Sequence, residues 1–351
     1  MMSTKKSFLK IATSDGERVR KKLIESNLLD VDYKIIAQEG TLFMPLQEQI
    51  GTSRLEEIVG SIAFETGEMD FEPHSQEPKT LAEALEGLLS PEEIELIPRA
   101  YDLIGDIAVL DIPDELSKHK ETIGKAFHQL HQNFNTILAK KGAIAGTTRV
   151  REYECLSGED KTDTIHIEYG CRLAVDLAKA YFSPRLLEEH NRIAQLVEDN
   201  EFVVDMFCGV GPFPIHIARQ KKAHIVAIDI NPEAINLLDR SIRLNNLVGT
   251  IEPIVGDSKD YSHNRVADRV MMNHPSGAFN YISDACRILK PHGVLHYYDF
   301  VGGEDPEGTI IGKLTKLVKN SGRSVERVNL VKRVRDSAPY EFQMVIDAVI
   351  E

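Results

Sequence analysis

At 351 residues the chain exceeds the ~100–200 residues of one ordinary domain, so two or three cores are expected. Hydrophobic residues at 42% and charged residues at 27% are those of a globular protein, and no apolar run nears the roughly 18 residues of a membrane span. The formal charge of −14 excludes a generally sticky nucleic-acid binder, since phosphate contacts demand lysine and arginine.

The N-terminal Met1-Met2-Ser3-Thr4-Lys5-Lys6 has charges but no apolar segment behind them, so a cytoplasmic protein away from membranes is expected. Residues 8–72 read as a small α/β unit, with strands over 8–12, 33–37 and 41–45 and a helix over 15–26 capped by Ser14 or Asp15. The polar stretch 71–79, with Pro73 and Pro78, reads as a linker. A mixed α+β region over 80–179 follows. It has helices over 81–89 and 91–96, the second capped by Ser90, and a strand over 107–110. A long amphipathic helix is expected over 123–140, with Ile123, Phe127, Leu130, Phe134 and Leu138 as its core stripe. Antiparallel strands are expected over 148–156 and 164–169.

From 180 to 351 strands and helices alternate, and the last two strands, 324–334 and 340–350, read as a hairpin closing a mostly parallel, doubly wound sheet. That order predicts a class I, Rossmann-like methyltransferase domain behind two smaller α+β domains, at 1–72, 80–179 and 180–351. Basic residues gather in 5–22 and again in 313–335. Both runs are compatible with an RNA partner and equally with solvated helix faces. Cys155, Cys171, Cys208 and Cys286 are scattered without CxxC or zinc-type spacing, so reduced thiols and no metal are expected.

The chemistry concentrates in Val203-Val204-Asp205-Met206-Phe207-Cys208-Gly209-Val210-Gly211-Pro212. An apolar strand running into a two-glycine turn lets backbone amides approach a ligand, and Asp229, ending the next strand, can accept both hydroxyls of a ribose. A dinucleotide would need a third glycine where Pro212-Phe213-Pro214 stands, so the expected cofactor is S-adenosylmethionine. Its site is predicted to take in Asp205, Phe207, Gly209, Gly211, Asp229, Asn273 and Asp257, with Asp257 accepting from the adenine amino group. After the fourth strand, Asn273-His274-Pro275 without a following aromatic suits a planar nitrogen base held edge-on. His274 reads as a wall residue there.

Separated runs then carry a resemblance: Arg149-Val150-Arg151-Glu152, Gly158-Glu159-Asp160-Lys161-Thr162, His166-Ile167-Glu168-Tyr169-Gly170 and Tyr181-Phe182-Ser183-Pro184-Arg185-Leu186. In this order they resemble the archaeal and eukaryotic tRNA guanine-N1 methyltransferases that modify position 37, over nearly the whole chain. That family commonly has leucine where His274 stands. The resemblance implies a monomeric enzyme whose first domain checks the outer corner of tRNA while the middle domain grips the anticodon arm. It further implies Glu189 as general base for the N1 proton, Arg149 as the cation for O6 and Asn273 on the guanine edge, with Tyr181, Arg185 and Pro275 in substrate binding. Spacing alone does not separate Glu189 from Glu188, or Arg149 from Arg151. Three other functions remain: aminocarboxypropyl transfer in wybutosine synthesis, bifunctional methylation of a tricyclic guanosine derivative, and non-catalytic tRNA binding.

Overall fold

The computed structural model describes residues 3–73, 78–145, 150–338 and 340–351. By packing, the chain divides into two compact units, Met1–Pro78 and Lys79–Glu351.

In the first unit, four antiparallel strands lie in the order Ile36–Gln38, Thr41–Pro45, Thr4–Ala12, Glu65–Phe71. Helices Gly16–Glu25 and Thr52–Val59 supply Val19, Leu23, Leu55 and Val59 to a core with Leu9, Ile11 and Met44. The strand Glu65–Phe71 was not foreseen, because its acidic, glycine-interrupted sequence hides it. Phe71, expected in the linker, is instead the fully buried end of that strand. The helix begins after Asp15, whose side chain makes no capping bond. Lys5, Lys6 and Lys10 pair with Glu68, Asp30 and Glu65, so much of this basic run is neutralised within the unit.

In the second unit, the strands Tyr101–Ile104, Ile107–Leu110, Thr136–Ala145 and Val150–Gly158 form a sheet. The helix expected over 123–140 stops at Leu130 and spans Lys120–Leu130. Residues 131–135, with Asn133 and Asn135, turn the chain, and Thr136, Ile137, Leu138 and Ala139 are all buried as a strand parallel to Ile107–Leu110. A short apolar run buried on both faces has no period that separates it from a helix. Residues 164–169 do not join that sheet. Asp163–Glu168 pairs with Cys171–Asp176 as a separate hairpin, turned by Tyr169 and Gly170 at φ 45° and 78°. Two successive positive φ values suit the two-residue turns that match strand twist.

Beyond helix α1 (Leu187–Leu196) comes a seven-stranded sheet: β1 (Phe202–Asp205), β2 (His224–Asp229), β3 (Thr250–Val255), β4 (Ala267–Met272), β5 (Leu289–Gly302), β6 (Val325–Ala338) and β7 (Glu341–Ile350). Its order is β3-β2-β1-β4-β5-β7-β6, parallel from β3 to β5, with β7 antiparallel to β5 and β6. Helices α2 (Pro212–Gln220), α3 (Pro232–Leu244) and α5 (Pro306–Asn320) each start on a proline, where the missing amide costs nothing, while α4 (Ile282–Ile288) is short. Ile104, Ile107 and Leu138 of the smaller sheet share one core with Leu173, Ile215, Ala227 and Leu238, so residues 80–179 pack as part of the larger unit. Among the described residues no helix is long and apolar enough to cross a membrane.

Candidate functional site

Strand order reverses between β1 and β4, and in open α/β sheets ligands bind outside the carboxyl ends of the strands at that point. A cavity of about 370 Å³ lies there. Met206, Phe207 and Gly209 line it from the end of β1, Asp229 and Asn231 from β2, Gly256, Asp257 and Ser258 from β3, and Asn273, His274, Pro275 and Ser276 from β4. Tyr181 closes one side, and Arg335 and Gln343 enter from the β6–β7 hairpin.

Gly209 adopts φ 55°, and a Cβ there would meet only Tyr181 O, at 3.8 Å, so this backbone lies open to a ligand. Its N–H donates to Asp229 Oδ2 (2.8 Å), and Asn231 N–H donates to Oδ1 (2.9 Å). Burial raises the Asp229 carboxyl above its usual range despite these bonds. Asp205 is fully buried and pushed up to about 8, by burial first, with the Asp229 charge adding and Phe207 N–H opposing. Asp205 Oδ2 and the Ser258 hydroxyl have no hydrogen-bond partner among the described residues. A buried and a half-buried carboxylate, neither ion-paired among the described residues, beside an orphaned hydroxyl fit a nucleoside cofactor that carries positive charge. Ser258 was a signal the sequence held only as a neighbour of Asp257.

Not every expected residue reaches the cavity. Gly211 caps α2 at φ 82° and stands against Leu238, where a Cβ would collide with the leucine side chain, so its service is to packing. Asp205 lies beneath the lining rather than in it. Arg185 is exposed and donates to Asp102 (2.7 Å). Glu189 is buried and does not line the cavity. Its carboxylate accepts from Tyr298 Oη (2.7 Å) and from both Nε and Nη2 of Arg192, which also bridges to Asp347. Arg149 lies outside the described residues. His274 packs on Phe207 with ring centroids 5.1 Å apart, as a wall residue would.

Arg335 and Gln343 were not found from the sequence, since neither belongs to a motif and only the hairpin register brings them in. Arg335 Nε donates to Gln343 Oε1 (2.7 Å), and Gln343 Nε2 donates to Asn273 Oδ1 (3.2 Å). The Arg335 fork also reaches Tyr181 Oη and Ser183 Oγ, each at 3.3 Å.

A second buried polar cluster holds Glu168 between His190 Nδ1 (2.7 Å) and His216 Nε2 (3.1 Å), both on the same oxygen. Two ligands of a tetrahedral ion at about 2.0–2.1 Å stand roughly 3.3–3.4 Å apart. The 2.7 Å separation is therefore a hydrogen bond. Burial opposes the Glu168 charge, but the neighbouring imidazoles of His166, His190 and His216 overcome it and hold the carboxyl well below its usual range.

Comparison with known proteins gives three family matches: the TRM5/TYW2 methyltransferase domain over residues 164–330, the TYW2 N-terminal domain over 81–162 and the tRNA methyltransferase 5 N-terminal domain over 9–53. The tRNA (guanine(37)-N(1))-methyltransferase Trm5b of Pyrococcus abyssi is 37% identical over 97% of both chains. A tRNA(Phe) (4-demethylwyosine(37)-C(7)) aminocarboxypropyltransferase of Pyrococcus horikoshii is 31% identical over 76% of this chain and 95% of its own. Among solved structures, aTrm5 in complex with tRNALeu superposes with a TM-score of 0.76 at 37% identity, covering 98% of this chain and 99% of that one.

Proposed function

The chain belongs to the TRM5 family of tRNA methyltransferases, and we propose that it transfers the methyl group of S-adenosylmethionine to N1 of guanosine 37 in tRNA, beside the anticodon. The observation that carries this reading is the cavity at the strand-order reversal, where Gly209, Asp229 and Asp257 meet the Asn273–Pro275 wall. The methyltransferase relative aligns along 97% of the chain, the aminocarboxypropyltransferase along 76%, which favours methyl transfer.

S-adenosylmethionine supplies an electrophilic methyl group on a sulfonium. Asp229 accepts from the ribose hydroxyls with the lone pairs its two amide bonds leave free, and Asp257 and Ser258 meet the adenine. Guanine N1 carries a proton at neutral pH, which must leave as the methyl arrives, and the negative charge so displaced gathers on O6. Asn273 holds the guanine edge while Tyr181 and Pro275 line its pocket. Glu189 takes the N1 proton, and to do so it must exchange a bond to Arg192 for one to the base. Arg149 supplies the cation for O6, and Arg185 meets the RNA at the rim. The first unit reads the outer corner of the tRNA, and the segment 80–179 grips the anticodon arm of a substrate bound by a cytoplasmic monomer.

Incubation with methyl-labelled cofactor and a tRNA bearing G37, followed by nucleoside identification, tests the reading. Label in 1-methylguanosine supports it. Transfer of label only from a parallel cofactor sample labelled in its aminocarboxypropyl moiety, or tRNA binding without transfer, overturns it.

A further inference from the structure

The hydrogen bonds entering from the C-terminal hairpin have only one consistent polarity. A guanidinium donates and never accepts, whereas either end of a carboxamide can turn toward a neighbour. Arg335 Nε faces one end of the Gln343 amide at 2.7 Å, so that end is Oε1. The other end is then Nε2, and the atom of Asn273 that it meets at 3.2 Å is Oδ1. Asn273 Nδ2 is left without a hydrogen-bond partner among the described residues, on a side chain that lines the cavity. Gln343 is 1% exposed and sits in β7 between β5 and β6, opposite Phe300 and Arg335, so its amide is confined by the sheet.

We propose that Gln343 and Arg335 are positioning residues of the methyl-transfer site: together they fix the Asn273 amide with its Nδ2 hydrogens toward the target base, so that Asn273 donates to the O6 carbonyl of guanine. This rests on the guanosine N1 reading above. On its Watson–Crick edge guanine offers O6 as acceptor beside the N1 and N2 donors, whereas adenine places an amino donor where O6 would be. A donating Asn273 therefore accepts guanine and rejects adenine. The same bond strengthens as N1 loses its proton and charge gathers on O6, which makes it worth more in the transition state than in the ground state. The charge of Arg335 sets the polarity of the whole relay, which runs through the amides of Gln343 and Asn273.

Gln343→Glu is the decisive variant. The carboxylate keeps the shape and the bond to Arg335 but presents an oxygen to Asn273, which must turn Nδ2 inward and Oδ1 toward the base. Single-turnover methylation of G37 is expected to fall about 10²-fold or more, the usual effect of losing one such donor, with S-adenosylhomocysteine affinity by calorimetry unchanged. Without turnover, enzyme loaded with S-adenosylhomocysteine should bind tRNA bearing G37 more tightly than tRNA bearing 2-aminopurine at 37, which lacks O6. Gln343→Glu should abolish that preference yet keep the preference over inosine, which lacks only the 2-amino group. Arg335→Lys retains a cationic donor and should keep most of both properties; Arg335→Met, on the edge strand, frees the Gln343 amide to flip and should lose them. Wild-type rate and discrimination in Gln343→Glu, or in Arg335→Met should the first variant not fold, overturn the proposal. A wild-type enzyme that makes no 1-methylguanosine instead sinks the reading of the reaction, while its 2-aminopurine discrimination still reports on the relay.

Discussion

Asp229 and Asp205 show how a residue's surroundings decide its use. Asp205 is fully buried and Asp229 half-buried, and both are raised, Asp205 to about 8, because loss of water around them penalises their charge. A cationic ligand reverses that penalty, so cofactor affinity should increase as pH rises from 7 to 8.5; calorimetry at the two values checks it, and a flat profile rejects the electrostatic account. Asp229→Ala should weaken S-adenosylmethionine binding by about 1.5–3 kcal/mol, the worth of charge-assisted bonds to a buried sugar, with the fold intact; unchanged affinity would mean the ribose lies elsewhere. The base is harder to isolate. Glu189→Gln removes a buried ion pair with Arg192 as well as a proton acceptor, so a lower melting temperature says nothing about catalysis. Its diagnostic result is single-turnover methylation slowed 10²–10⁴-fold, roughly the contribution of a positioned base, and partly restored by raising the pH. His274→Leu should leave the rate near wild type, as befits a ring packed on Phe207. Gly209, Asp229, Asp257 and Asn273 were legible in the sequence because each ends a strand, where a turn motif marks it. Gln343 and Arg335 were not, because a strand interior gives no local sign of which loop it faces.

At the scale of elements, alternation of β-branched runs with proline-started helices made the seven-stranded sheet readable from Phe202 onward, and the break after residue 334 marked the closing hairpin, although β6 runs on through Arg335 to Ala338. The failure at 123–140 has a physical cause: Phe134 and Leu138 fall on the helical period of Ile123 and Phe127, yet Thr136–Ala139 are buried on both faces, which periodicity cannot register. The hairpin whose first strand ends in Glu168 is tied to α1 and α2 through His190 and His216, and this joint carries a pH dependence. Burial lowers the His190 pKa from 6.5 despite its bond to Glu168. An unfolded chain protonates this histidine near 6.5 while the folded one does not, so stability is lost as pH falls below that value. Glu168, lowered in the fold, adds a further loss once pH drops through the ordinary carboxylate range. The melting temperature should therefore fall between pH 7.5 and 5.5. In His190→Asn, which keeps a donor for Glu168 but cannot titrate, the slope should flatten in part, because His296 is lowered by burial in the same sense. An unaltered slope would remove His190 from the account.

Over the whole molecule, the sequence break at the prolines falls where packing divides, though the strand Glu65–Phe71 carries the first unit further than its polar composition suggests. The two units have separate hydrophobic cores. The first is built on Leu9, Val19, Leu23, Met44 and Leu55, and all the residues lining the cavity belong to the second. Residues 80–179 are different, since Ile104, Ile107 and Leu138 are packed into the same core as Ile215 and Leu238. Removing that segment would expose a core face, whereas removing residues 1–78 takes away a unit that buries its own apolar surface. The truncated protein should therefore fold, bind S-adenosylmethionine with wild-type affinity and still methylate G37 in single turnover. Its kcat/KM should fall on intact tRNA, and it should no longer distinguish intact tRNA from a minimal anticodon arm, because the part proposed to read the outer corner is gone. Aggregation, or loss of cofactor binding, would show that the first unit completes the fold of the second. Undiminished discrimination in a folded truncation would place the reading of the tRNA body within residues 79–351.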